Sequence, residues 1–129
     1  MQGYSVTINE SSRELTAREK IAFKDFTNAI SIDSELVGDN DSLQFSPAGY
    51  VILNVHNEHS KNDKDYKKYL FIAKDGNKYV SGSESLFNSF IEIFNQMAED
   101  APDEDYYIEV YKRPSKNYSG KHFITCSIV

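Results

Sequence analysis

From Gly49 onward the spacing of apolar residues changes period twice, and that switch restricts what the chain can fold into. Tyr50 to Asn57 alternates, with Val51, Leu53 and Val55 on one face and Ile52, Asn54 and His56 on the other. That period of two is the mark of a pleated strand. Tyr66 to Lys74 and Asn77 to Val80 flank Asp75-Gly76, a pair suited to the positive-φ backbone of a tight hairpin turn, so two strands are expected to pair across it. Leu86, Phe87, Phe90, Ile91, Phe94 and Met97 then recur at helical spacing. Ser81 and Glu84 stand at the separation of a capping box, and the pattern predicts a helix over 84–98 that ends in the acidic run Glu99 to Asp105. Alternation returns in Tyr106 to Arg113 and His122 to Val129, two strands joined through Pro114 to Lys121. That connection is too rich in Pro, Asn, Ser and Gly to extend either strand.

Strand, strand, strand, helix, strand, strand is the element order of an OB-fold, a small five-stranded barrel. The fold class expected is therefore α+β, mostly β: an OB-fold-like barrel over residues 49–129 with a helix between its third and fourth strands. Residues 1–48 are then an amino-terminal strand-helix extension. YSVTI at 4–8 suits a short strand, and Thr16 and Glu19 form a second capping-box pair. The helix that pair opens carries Ala22, Phe23, Phe26, Ala29 and Ile30 on one face and ends near Ser31. Asp33 to Gly49 reads as a loop with a short strand around Leu43 to Phe45. A chain of 129 residues fits one domain, 1–129, and contains no repeat or linker.

The net charge is −6, yet Tyr111 to Phe123, reading YKRPSKNYSGKHF, holds four cations and no acid. Lys112, Arg113, Lys116 and Lys121 alternate there with Tyr111, Tyr118 and Phe123. Cations neutralise phosphates and aromatic faces stack on unpaired bases, so this mixture suits a single-stranded nucleic-acid groove. A solvated hairpin whose charges serve solubility is the plainer alternative. Strand alternation turns Ile108 and Val110 inward with Ile124, Cys126 and Ile128. Tyr107, Tyr111, Arg113 and Phe123 are left as an exterior patch flanked by Lys112 and Lys116. The competing expectation is that this face lies beneath the amino-terminal helix, whose stripe over 22–30 would cover Phe123. Tyr69 and Phe71 alternate with Leu70 and Ile72, periodicity does not say which pair faces out, and Tyr69 and Phe71 join the candidate binding residues. Lys61 to Lys78, with six lysines against three aspartates, is a second positive segment.

Other chemistry is weakly supported. His56, Glu58, His59 and His122 carry ligand atoms for zinc, but without the i, i+4 pairing of a metalloprotease helix. No nucleophile, base and orienter stand together, and Lys74-Asp75-Gly76-Asn77 lacks the spacing of a phosphate loop. The expectation is a protein with no catalytic residues, no metal and no cofactor. No apolar run reaches the roughly 18 residues needed to span a bilayer, and no cationic-then-apolar leader opens the chain, so no membrane partner is expected. The lone Cys126 reads as a small core hydrophobe.

Three segments carry a likeness: YVILNVHNEH at 50–59, GNKYVSGSESLFNSF at 76–90 and EVYKRPSKNYSGKHFITCSI at 109–128. Through them the carboxy-terminal two thirds resembles small single-stranded DNA-binding proteins encoded by bacteriophages of Gram-positive bacteria. The resemblance implies an OB-fold that protects single-stranded DNA in phage replication or recombination, in the cytoplasm of a bacterial host cell. Self-association and contact with host or phage replication proteins go with it. The chain departs from the cellular pattern in ending on ITCSIV rather than on an acidic tail tipped with an aromatic. The rival expectation is a small acidic phage protein that uses Glu99 to Asp105 to bind and inhibit a host protein.

Overall fold

In the computed structural model, which describes residues 4–36, 38, 41–59, 64–114 and 122–129, apolar alternation is used on both faces of a sheet. The strands are β1 (Tyr4–Ser11), β2 (Ile30–Ser31), β3 (Ser42–Phe45), β4 (Pro47–Asn57), β5 (Asp65–Ala73), β6 (Lys78–Ser81), β7 (Ile108–Pro114) and β8 (His122–Ile128). The helices are α1 (Ala17–Lys24), α2 (Ile32–Glu35) and α3 (Glu84–Asp100). The result is a mixed α/β fold, mostly strands, in two sheets. One runs β1-β4-β5-β6-β2 and the other β3-β7-β8. Among the described residues no helix is long and apolar enough to cross a membrane.

The closed barrel expected after Gly49 is absent, and the pairing explains why. Only Ser46 separates β3 from β4, and its hydroxyl donates to the Tyr106 carbonyl at 2.6 Å while its own carbonyl accepts from the Lys74 amide at 2.9 Å. The stretch 42–57 thus passes from one sheet to the other, and strands follow in the order β6-β5-β4 and then β3-β7-β8. Closing a barrel would require β6 to meet β8. Instead β6 takes β2 as a parallel neighbour, Ile30 opposite Tyr79, while α3 flanks β8. Ser85 Oγ donates to the Ile124 carbonyl at 2.9 Å, and Ser89 and Thr125 share a hydroxyl pair at 2.8 Å. Both strands that would seal the seam are satisfied elsewhere.

The described residues before Gly49 are built into the two sheets and their cores rather than set apart as an extension. β1 and β2 form the two edges of the larger sheet, and Ile32 and Leu36 are fully buried. The strand expected near Leu43 to Phe45 is β3, and Gly49 falls inside β4. The Thr16–Glu19 capping box forms, yet α1 stops at Lys24 rather than near Ser31. Asp25 accepts from the Thr27 amide at 3.2 Å and from its hydroxyl at 2.6 Å, opening a separate 3-10 turn at Phe26–Asn28. This is the usual competition of Asp with helical backbone bonding.

Two cores sit on opposite faces of the larger sheet. Leu15 and Phe23 pack with Val51, Leu53, Leu70 and Val80 on the α1 side. On the α3 side Ile52, Tyr69, Phe71 and Tyr79 meet Leu86, Phe87 and Phe90, with Ile91 and Phe94 at the margin. The helix begins at Ser83, whose hydroxyl accepts from the Leu86 amide, and not at Ser81. Ser81 ends β6 opposite Tyr69, donates to Asp33 at 2.9 Å, and accepts from the Ser83 amide. The Asp75-Gly76 turn forms as expected, with Gly76 at φ 91°, a backbone region costly for residues with a Cβ.

Candidate nucleic-acid interface

The exposed face of the three-stranded sheet follows from the register of its closing hairpin. Arg113 stands directly opposite Phe123, Tyr111 opposite Thr125, and Glu109 opposite Ser127, and directly opposed residues share a face. The intervening pairs Ile108–Ile128, Val110–Cys126 and Lys112–Ile124 turn toward the core. Ile108, Val110 and Cys126 are buried, and burial pushes the Cys126 thiol up to about 12, as befits a small hydrophobe. Ile128 departs from expectation at 48% exposed: it keeps the inward register but lies at the strand end, beside Glu92, Ile93 and Met97 of α3.

On the open face Arg113 is exposed, Phe123 is 38% exposed and Tyr107, just before β7, is 54% exposed. Tyr111 is half-buried, its hydroxyl bonded to Ser127 at 2.6 Å, so its ring is held against the sheet. Lys112 is half-buried, and among the described residues no ion pair engages it or Arg113. Four other cations are committed: Arg13 to Glu19, Lys74 to Asp105, Lys64 to Glu58, and Lys78 over the Phe23 ring. Helix α1 contributes Phe23 to the core of the other sheet, which leaves the Arg113–Phe123 face clear of it. Lys116, Tyr118 and Lys121 lie outside the described residues. Glu109, on this face, accepts from the Gln44 carboxamide at 3.1 Å, and Asp75 and Asp105 lie beside Tyr107.

Tyr69 and Phe71 do not belong to this surface. They are 7% and 1% exposed, Tyr69 stacked on Phe87 at 4.6 Å and Phe71 set edge-on to Phe90 at 4.8 Å. Periodicity could not sort them from Leu70 and Ile72 because the sheet is covered on both faces. Tyr69 and Phe71 face α3, while Leu70 and Ile72 pack on the α1 side.

His56 is held between two carboxylates. Asp65 meets His56 Nδ1 at 2.6 Å and Glu58 meets Nε2 at 2.5 Å, occupying both ring nitrogens. His59 uses its backbone amide to bond Asn57, and His122 begins β8 in the other sheet. Among the described residues no group of three or more His, Cys, Asp or Glu is arranged to hold a metal. The bond to Asp65, then that to Glu58, raises the His56 pKa above its ordinary 6.5. A raised folded value means the interaction is fully present below 6.5 and is lost as pH rises through that higher value. Imidazole resonances of His56 are therefore expected to titrate above 6.5, and His56→Gln to remove a small stability decline on the alkaline side. A His56 titration at or below 6.5 by NMR would contradict this arrangement.

Compared with protein-family models, characterised proteins and solved structures, the chain shows no significant match.

Proposed function

We propose that the protein binds single-stranded DNA without turning it over, using the β7–β8 hairpin as its principal contact. The observation that carries this reading is the cross-strand pair of Arg113 and Phe123, a cation beside an aromatic ring at the exposed end of a sheet face that α3 reaches, among the described residues, only at Thr125. Tyr107 extends that face, while Lys112 is half-buried on the other side of β7. Arg113 would neutralise phosphate, with Lys116 and Lys121 of the connecting segment adding to it. Phe123 and Tyr107, and Tyr118 from that segment, would offer stacking surfaces that every base accepts. The strand order β6-β5-β4, β3-β7-β8 supports an OB-like arrangement with one seam open, in a class whose barrels are themselves only partly closed. In such folds the loop between the last two strands borders the oligonucleotide, which is where the basic-aromatic segment lies.

The biological setting that goes with this reading is phage DNA replication or recombination in the bacterial cytoplasm, alongside replication proteins. The test is a gel shift with labelled single-stranded oligonucleotide against excess unlabelled duplex. A complex that survives the duplex, with the oligonucleotide intact after long incubation, is the expected result.

The exposed acids favour a second reading. Glu99 and Asp100 lie at the carboxy-terminal end of α3, where the helix dipole disfavours negative charge, and Asp103 and Glu104 follow in the open. Such a cluster suits a basic protein surface. A chain that ignores oligonucleotide at low salt, yet captures a host nuclease or polymerase and releases it on Asp103→Asn with Glu104→Gln, would be that inhibitor.

A further inference from the structure

On the α3 side of the larger sheet, successive cross-strand rows change character abruptly. The rows Tyr50–Phe71–Tyr79 and Ile52–Tyr69–Ser81 lie under the helix, the second closed off by Phe87 stacked on Tyr69. The next two rows, Thr7–Asn54–Lys67 and Ser5–His56–Asp65, are polar across all three strands. Together they line a concavity of about 370 Å³ that the helix leaves open. That volume is at the lower end of the roughly 300–1,000 Å³ of small-ligand sites, the scale of one nucleotide rather than of a polymer groove.

The hydrogen bonding within the concavity is lopsided. His56 and Asp65 bond each other, so one end is internally satisfied. Among the described residues, the Ser5 and Thr7 hydroxyls, the Asn54 carboxamide and the Lys67 ammonium make no side-chain hydrogen bond or ion pair. These are two hydroxyls that donate or accept, an amide that does both side by side, and one cation. A nucleobase edge presents donors and acceptors in adjacent pairs, the pattern that a carboxamide matches two at a time. A run of phosphates would call for a cluster of cations, and among the described residues lining the concavity only Lys67 carries one, with the Asp65 charge beside His56.

We propose that these rows form a base-edge subsite for one nucleotide of a bound single strand. Asn54 donates to and accepts from the base, Thr7 and Ser5 complete its hydrogen bonding, and Lys67 meets a phosphate of the same nucleotide. The proposal rests on the single-strand reading and adds base preference to a surface otherwise indifferent to sequence.

The experiment compares the parent, Asn54→Ala, Thr7→Val and Arg113→Ala for binding to oligo-dT, oligo-dA and oligo-dC over a range of salt. The Asn54 carboxamide protons are followed by NMR during titration of the parent. Asn54→Ala is expected to weaken at least one homopolymer about fivefold, the scale of one net hydrogen bond, unequally among bases and with an unchanged salt slope. The Asn54 carboxamide resonances are expected to shift on oligonucleotide addition. If the parent binds and Arg113→Ala weakens it, while Asn54→Ala and Thr7→Val match the parent on every homopolymer, the subsite is overturned and the hairpin reading stands. If the parent binds no oligonucleotide, both fall together.

Discussion

Phe90→Ala is expected to destabilise the fold by about 3–5 kcal/mol, as large aromatic truncations in a closed core do. Phe90 is 0% exposed, and its ring meets four others: Phe71 edge-on at 4.8 Å, Phe94 stacked at 5.4 Å, Tyr50 at 6.1 Å and Phe87 at 6.3 Å. Those rings come from β4, β5 and α3, so the side chain ties the helix to the middle of the larger sheet. Removing it opens a void that the stiff neighbouring rings fill poorly. Against a total stability of roughly 5–15 kcal/mol, that is a large fraction. Urea denaturation followed by circular dichroism measures the change directly. A loss below about 1 kcal/mol, the range of surface substitutions, would mean that α3 is not seated as described.

Phe123→Ala and Arg113→Ala are expected to damage oligonucleotide binding in distinguishable ways. Loss of the Phe123 ring should cost about 1–3 kcal/mol of affinity, the value of one base stack, with the salt dependence nearly unchanged. Loss of Arg113 should weaken binding at low salt and lower the slope of log K against log salt by about 0.7, the share of one single-strand phosphate. Both residues are exposed on an open sheet face, so neither variant should lose more than about 0.5 kcal/mol of fold stability. Anisotropy titrations at several salt concentrations separate the two signatures. Two variants that bind like the parent, both folded, would remove this face from the site.

What could be read from sequence was local. β4 and the two closing strands follow from alternation, the β5–β6 hairpin from Asp75-Gly76, and the α3 stripe from its period. The Arg113–Phe123 face also follows from alternation once the two strands are paired. What could not be read was the choice of partners at long range. Ile30 and Ser31 pair in parallel with Tyr79 and Val80, and a two-residue strand carries no periodic signal. The passage of 42–57 from one sheet to the other depends on how Ser46 bonds to Tyr106 and Lys74, two segments distant in sequence. The burial of Tyr69 and Phe71 required knowing that both faces of the sheet are covered. Ser81 and Ser83 each precede a helix-compatible run, and only the pairing of Ser81 with Tyr69 decides that Ser83 is the cap. Likewise the row Thr7–Asn54–Lys67 draws on three strands, and no spacing along the chain joins them.

The central claim meets its most direct test in the affinity of the unmodified protein for labelled single-stranded oligo-dT between about 50 mM and 200 mM salt, the span over which phosphate contacts show themselves. The account predicts binding at the low end and a linear fall of log K with log salt, with a slope corresponding to at least two phosphates, one met by Arg113 and the others by the lysines of the connecting segment. Absence of binding at 50 mM, or an affinity that does not change with salt, would contradict it.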